Sequence, residues 1–88
     1  MKKQIAILGS TGSIGQTLIN IIKEKPNLYK VSLLTSNKNY KLLLKQAKTL
    51  KVKNLILTDL KYYKLAKKKL KRTKINIFNN FSSFKKIF

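Results

Sequence analysis

The 88-residue sequence contains no cysteine, no histidine and no tryptophan, and only two acidic side chains, Glu24 and Asp59. Without cysteine there is no disulfide, thiol nucleophile or thiolate metal site. Without histidine the usual zinc sites and a His-based triad go too. Two carboxylates leave neither a carboxylate metal cluster nor a paired acid/base site to be built, so the chain lacks obvious catalytic machinery. No apolar run is long enough to cross a bilayer. The basic start Met1-Lys2-Lys3 precedes too short an apolar stretch for a targeting segment, so the expected location is the cytoplasm. At this length one small domain fits, with a modest fraction of its surface buried and marginal stability.

What the chain has in excess is lysine. Lysine and arginine total 21, Arg72 is the single arginine, and the formal net charge is +19. Such a balance raises nucleic acid or an anionic surface as a partner. The lysines, however, spread over nearly every predicted helix and loop, arginine is almost absent although it reads bases and phosphates better, and the aromatics form no stacking platform. Abundant Lys, Asn and Ile together match what an AT-rich coding sequence yields at tolerant positions. The expectation is therefore no specific nucleic acid and no membrane partner. A basic polyanion- or nucleic-acid-binding module is the alternative reading, which duplex binding that survives physiological salt would support. The dense basic stretch from Lys67 to Lys74 reads as a solvated helix end and turn.

The hydrophobic pattern alternates between short apolar runs and segments of helical period. Residues 4–8 read as a strand, and Ser13 to Lys23 as a helix with Ile14, Leu18, Ile21 and Ile22 on its buried face. Pro26 and Asn27 stop that helix. Tyr29 to Leu34 is a second strand, Thr35 to Asn39 a polar turn, and Asn39 the cap of a helix running to Leu50 through Leu43, Leu44 and Ala47. Residues 54–58 form a third strand, and Asp59 caps a third helix with Leu60, Tyr63 and Leu70 inward. Residues 75–78 form a fourth strand, and Phe81, Phe84, Ile87 and Phe88 suggest the start of a fourth amphipathic helix. This order predicts an α/β fold, a Rossmann-type parallel sheet of about four strands with helices on both faces, truncated.

All three glycines fall in one stretch, Gly9-Ser10-Thr11-Gly12-Ser13-Ile14-Gly15, between the first strand and the first helix. Glycines there allow a sharp turn, close approach of a pyrophosphate and tight packing of helix on strand. The helix N-terminus binds an anion without any basic side chain, and the hydroxyls of Ser10, Thr11 and Ser13 can add donors. The spacing G-x-x-G-x-x-G is not the commoner G-x-G-x-x-G, and a ligand-free glycine turn is the bland alternative. At the end of the second strand, where an NAD site places an acidic residue, the chain has Thr35, Ser36, Asn37, Lys38 and Asn39. One cation and several hydroxyl and amide donors favour a ribose phosphate, hence NADP.

The stretch Ile7-Leu8-Gly9-Ser10-Thr11-Gly12-Ser13-Ile14-Gly15, with Thr17-Leu18, Pro26 and Val31 to Asn39, resembles the N-terminus of the 1-deoxy-D-xylulose 5-phosphate reductoisomerase family. The resemblance continues more weakly to residue 88. It implies an N-terminal NADPH-binding domain over residues 1–88, incomplete, with catalytic and C-terminal domains absent. It further implies that Thr11, Gly12, Ser13 and Ile14 contact the NADPH pyrophosphate region, and that Lys38 and Asn39 hold the adenosine ribose and its phosphate. Asn37 replaces the family's usual glycine; asparagine tolerates a left-handed backbone better than most residues, at a cost of about 1 kcal/mol. The family, typically homodimeric, uses Mg or Mn to chelate the ketose phosphate, whose rearranged skeleton NADPH reduces to 2-C-methyl-D-erythritol 4-phosphate. Its carboxylate metal ligands do not occur in this sequence. The resemblance thus implies a non-catalytic portion of an NADPH-dependent reductoisomerase.

Overall fold

The computed structural model describes residues 2–83. Strands and helices alternate through β1 (Lys3–Ile7), α1 (Ser13–Lys23), β2 (Tyr29–Ser36), α2 (Tyr40–Leu50), β3 (Asn54–Leu57), α3 (Leu60–Lys69) and β4 (Asn76–Phe78), followed by a 3-10 turn, Phe81–Ser83. The four strands form one parallel sheet in the order β1-β2-β3-β4. Each return to the sheet therefore needs a helical crossover, as the sequence pattern predicts. Of the last expected element, Phe81 lies in the 3-10 turn, and Phe84, Ile87 and Phe88 lie outside the described residues.

Local chemistry sets the helix ends. The Asn39 side chain accepts a hydrogen bond from Leu42 N–H (3.3 Å) at the start of α2, and Asp59 Oδ1 accepts from Tyr62 N–H (3.2 Å) at the start of α3. Both satisfy donors that a helix N-terminus leaves open. At the end of α2, Lys51 adopts the left-handed conformation (φ 58°) and Val52 N–H donates to the Ala47 carbonyl. That position favours glycine. Lys51→Gly is expected to raise stability by about 0.5–1 kcal/mol, read as a higher urea midpoint with unchanged slope.

All three helices bury against one cluster: Ile19 and Ile22 of α1, Leu43, Leu44 and Ala47 of α2, and Ala66 of α3 with Leu70 meet Ile7, Val31, Leu34, Leu55 and Leu57 of the sheet. Leu33 and Ile56 are also fully buried but stand outside this cluster, on the opposite face. Of the helices expected on both faces, the described residues thus contain those of one face. A bulge makes this register possible. Ile5 pairs with Val31 but Ala6 pairs with Leu33, leaving Ser32 as the extra residue. Strand residues alternate faces, so without the bulge Val31 and Leu34 could not both face the helices.

Two expectations about buried faces are corrected. On α1 the buried residues are Gly15, Ile19 and Ile22, whereas Ile14 (80 % exposed), Leu18 and Ile21 face outward. The cause is Gly15: a Cβ there would stand 2.4 Å from the Gly9 carbonyl oxygen, so the helix rests its bare glycine on the preceding turn. That contact fixes the roll, and the residues four and seven positions on, Ile19 and Ile22, follow it inward. On α3, Leu60 is exposed rather than inward, while Tyr63 is half-buried and Leu70 buried as expected. Tyr62 fills that end of the stripe instead, stacked on Tyr40 with ring centroids 5.7 Å apart.

Candidate functional site

The glycine turn leaves the carboxyl end of β1 and enters α1 beside the carboxyl end of β2. Gly9 takes a positive φ (67°), the conformation for which glycine is suited. Its N–H donates to Thr35 Oγ1 (2.9 Å), and Ser10 N–H donates to the Thr35 carbonyl (2.9 Å). One residue of β2 therefore holds two successive amides of the turn. Thr11 Oγ1 and Ser36 Oγ lie 2.7 Å apart as a second tie between the turn and β2.

Gly12 is the N-cap of α1 and, unlike Asn39 and Asp59, makes no side-chain cap hydrogen bond. The first turn of α1 therefore keeps open N–H donors and the positive end of the helix dipole at the protein surface, next to exposed Ser13 and Ile14. This is the local chemistry of an anion site.

Several predicted donors are spent internally. Thr35 and Ser36 were expected in the polar turn, but both are buried residues of β2, which continues past Leu34 because Thr35 and Ser36 pair with Ile56 and Leu57 of β3. Ser10 is fully buried, and its hydroxyl donates to Gln46 Oε1 (2.7 Å), with the Thr35 carbonyl a longer 3.4 Å away. Its side chain therefore faces the core rather than a ligand.

Beyond β2, Asn37, Lys38 and Asn39 are exposed. Thr58 Oγ1 donates to Asn37 Oδ1 (2.8 Å), and Asp59 N–H donates to the Asn37 carbonyl (2.9 Å), so β3's exit pins this loop. Asn37 does not have a positive φ, and the expected cost of a left-handed residue does not arise. Asn39 spends one side-chain acceptor on the α2 cap, leaving its amide N–H₂ at the surface. Lys38 stands between them.

The residue that sequence reading did not single out is Gln46. It is 6 % exposed, accepts from the Ser10 hydroxyl and donates through Nε2 to the Ser10 carbonyl (2.9 Å). The signal was present, since a glutamine three residues after Leu43, at the margin of the apolar stripe of α2, needs polar partners once buried.

Comparison with known proteins bears directly on this arrangement. The family described as 1-deoxy-D-xylulose 5-phosphate reductoisomerase matches residues 5–87. The protein of that name from Pelagibacter ubique (strain HTCC1062) is 54 % identical over 86 residues, covering 98 % of this chain and 22 % of that protein. Among solved structures, the reductoisomerase from Zymomonas mobilis in complex with NADPH superposes with a TM-score of 0.87 at 26 % identity, covering 99 % of this chain and 23 % of that one. A DOX-P reductoisomerase in complex with NADPH, fosmidomycin and magnesium gives 0.85 at 26 % identity, covering 97 % and 21 %. The chain thus spans about a fifth of the length of the relatives it matches.

Proposed function

The chain belongs to the 1-deoxy-D-xylulose 5-phosphate reductoisomerase family, and from that premise we propose that it forms the N-terminal NADPH-binding portion of such an enzyme. The observation that carries the reading is the juxtaposition at the carboxyl ends of β1 and β2. The uncapped α1 N-terminus and the exposed Lys38 loop are joined through Thr11 and Ser36. An anion site for the pyrophosphate and a cation for the ribose phosphate thus lie on adjacent strands, where a dinucleotide bridges them.

In this reading Gly9, through its turn, the backbone of Thr11 and Gly12, and the backbone and side chains of Ser13 and Ile14 receive the pyrophosphate region, while the Thr11 hydroxyl stays on Ser36. Lys38 and the Asn39 amide hold the adenosine ribose and its 2′-phosphate. Ser10 and Asn37 act by shaping the turn and the loop, since their side chains are bonded within the protein. Bound NADPH supplies hydride for a reduction. The residues present do not fit a Mg or Mn site, because the chain's two carboxylates, Glu24 and Asp59, fall at the end of α1 and at the cap of α3. No step of the ketose-phosphate rearrangement is therefore assigned to this chain, and the 88 residues alone are non-catalytic. A complete cytoplasmic, homodimeric enzyme acting on 1-deoxy-D-xylulose 5-phosphate is part of the same proposal. No helix among the described residues is long and apolar enough to cross a membrane.

The test is a paired titration of the chain with NADPH and NADH at physiological salt, repeated with Lys38→Glu. The expected result is saturable binding with about tenfold preference for NADPH, from one charge-assisted phosphate contact, abolished by the substitution. Equal affinity for both nucleotides, or none for either, overturns the assignment. Turnover of the ketose phosphate by the 88-residue chain overturns its non-catalytic part.

A further inference from the structure

Almost every ligand-facing group assigned above depends on where one short turn sits, and the turn's contacts show what holds it. Three elements do so: Thr35 of β2 takes the N–H groups of Gly9 and Ser10, Gly15 of α1 lies against their backbone, and Gln46 of α2 reaches across to Ser10. The first two come from the neighbouring strand and the turn's own helix. Gln46 lies 36 positions along the chain and bonds both the side chain and the carbonyl of one residue. That two-point grip restrains the Ser10 carbonyl and hydroxyl, on the side of the residue that the bond from Ser10 N–H to the Thr35 carbonyl does not reach.

The same helix begins at Asn39, immediately after Lys38. α2 therefore carries one part of the dinucleotide site at its N-terminus and clamps the other part from its middle. We infer that Gln46 is a positioning residue: by holding Ser10 it sets the turn's N–H groups at the spacing from Lys38 that a pyrophosphate-linked ligand requires. This rests on the reading of the glycine turn as the pyrophosphate site. It predicts that Gln46 matters for ligands that reach both parts and not for those confined to the Lys38 end.

The experiment compares the chain with Gln46→Met, which keeps the side chain's length and removes both hydrogen-bonding groups. NADPH and 2′-AMP, which carries the ribose phosphate without the pyrophosphate, are titrated at physiological salt. The expected result is about tenfold weaker NADPH binding with 2′-AMP affinity changed less than about twofold. Equal losses for the two ligands would mean that Gln46 serves stability alone, and no loss for either would remove it from the site; each overturns the inference.

Amide hydrogen exchange without ligand supplies an independent readout. Exchange at Gly9 and Ser10 should be about tenfold faster in the variant, with Leu55 in β3 unchanged. A uniform change across the three, or none, overturns the positioning role whether or not nucleotide binds. If the unsubstituted chain binds neither nucleotide, the pyrophosphate reading fails, and exchange still decides whether Gln46 holds the turn. Should Gln46→Met not fold, Ser10→Ala removes one of the two bonds and is expected to show the same selectivity at about threefold.

Discussion

Replacing Gly15 with alanine is expected to remove more than half of the chain's stability. An added Cβ would stand 2.4 Å from the Gly9 carbonyl oxygen, 2.6 Å from Ser10 Cα and 2.8 Å from the Ser10 carbonyl carbon. These are backbone atoms, and they cannot swing aside as a side chain would. The turn is itself held by the amides of Gly9 and Ser10 on Thr35 and by Gln46 on Ser10. Either α1 lifts off the sheet, exposing Ile19 and Ile22, or the turn breaks those bonds. Overpacking that side chains can absorb costs about 1–3 kcal/mol, and a backbone collision belongs at or above the upper end of that range. A domain this small has total stability of only about 5 kcal/mol. Urea unfolding followed by far-ultraviolet circular dichroism is expected to show a cooperative transition for Gly15→Ala at less than half the parent's urea midpoint. Gly12→Ala, whose nearest contact is 3.4 Å, should retain one within about 1 kcal/mol of the parent. An unchanged midpoint for Gly15→Ala would mean that α1 does not close on the turn as described.

Ile19→Ala is expected to destabilise the chain by about 3 kcal/mol, and Ile14→Ala by less than about 0.5 kcal/mol. Ile19 is 3 % exposed in the shared cluster, whereas Ile14 is 80 % exposed. Removing the Ile19 branch opens a cavity between α1 and the sheet that neighbouring side chains only partly refill. The pair of variants reads the roll of α1 directly, because the hydrophobic pattern alone places Ile14, and not Ile19, on the buried stripe. A larger loss for Ile14→Ala than for Ile19→Ala would reverse the assignment of the buried face. Ile14→Ala should nevertheless weaken NADPH binding if that side chain lies against the cofactor, a second effect separable from stability.

The outline of the fold was legible because strand and helix declare themselves locally. Short apolar runs gave the strands, helical spacing gave the helices, and Asn39 and Asp59 were recognisable as caps, roles their bonds to Leu42 and Tyr62 fulfil. What escaped was how those elements meet. Thr35 and Ser36 look like turn residues by composition, yet they extend β2 because the glycine turn and β3 satisfy their polar groups. The bulge at Ser32 has no local signature, and it changes which residues of β2 face the helices.

By itself, the sequence determined the order of elements, the glycine turn at the head of α1 and the lysine beyond β2, since each depends on residues close together in the chain. It also left no residues for a carboxylate metal cluster or a paired-carboxylate acid/base site, because composition alone decides which groups exist. The roll of α1, the internal use of Ser10, Thr35 and Ser36, and the grip of Gln46 on the turn were decided only in the tertiary structure. Those features arise from contacts between residues 25 to 36 positions apart, or from a missing Cβ meeting a turn. Their energy depends on distances and orientations that a linear pattern of residue types does not contain.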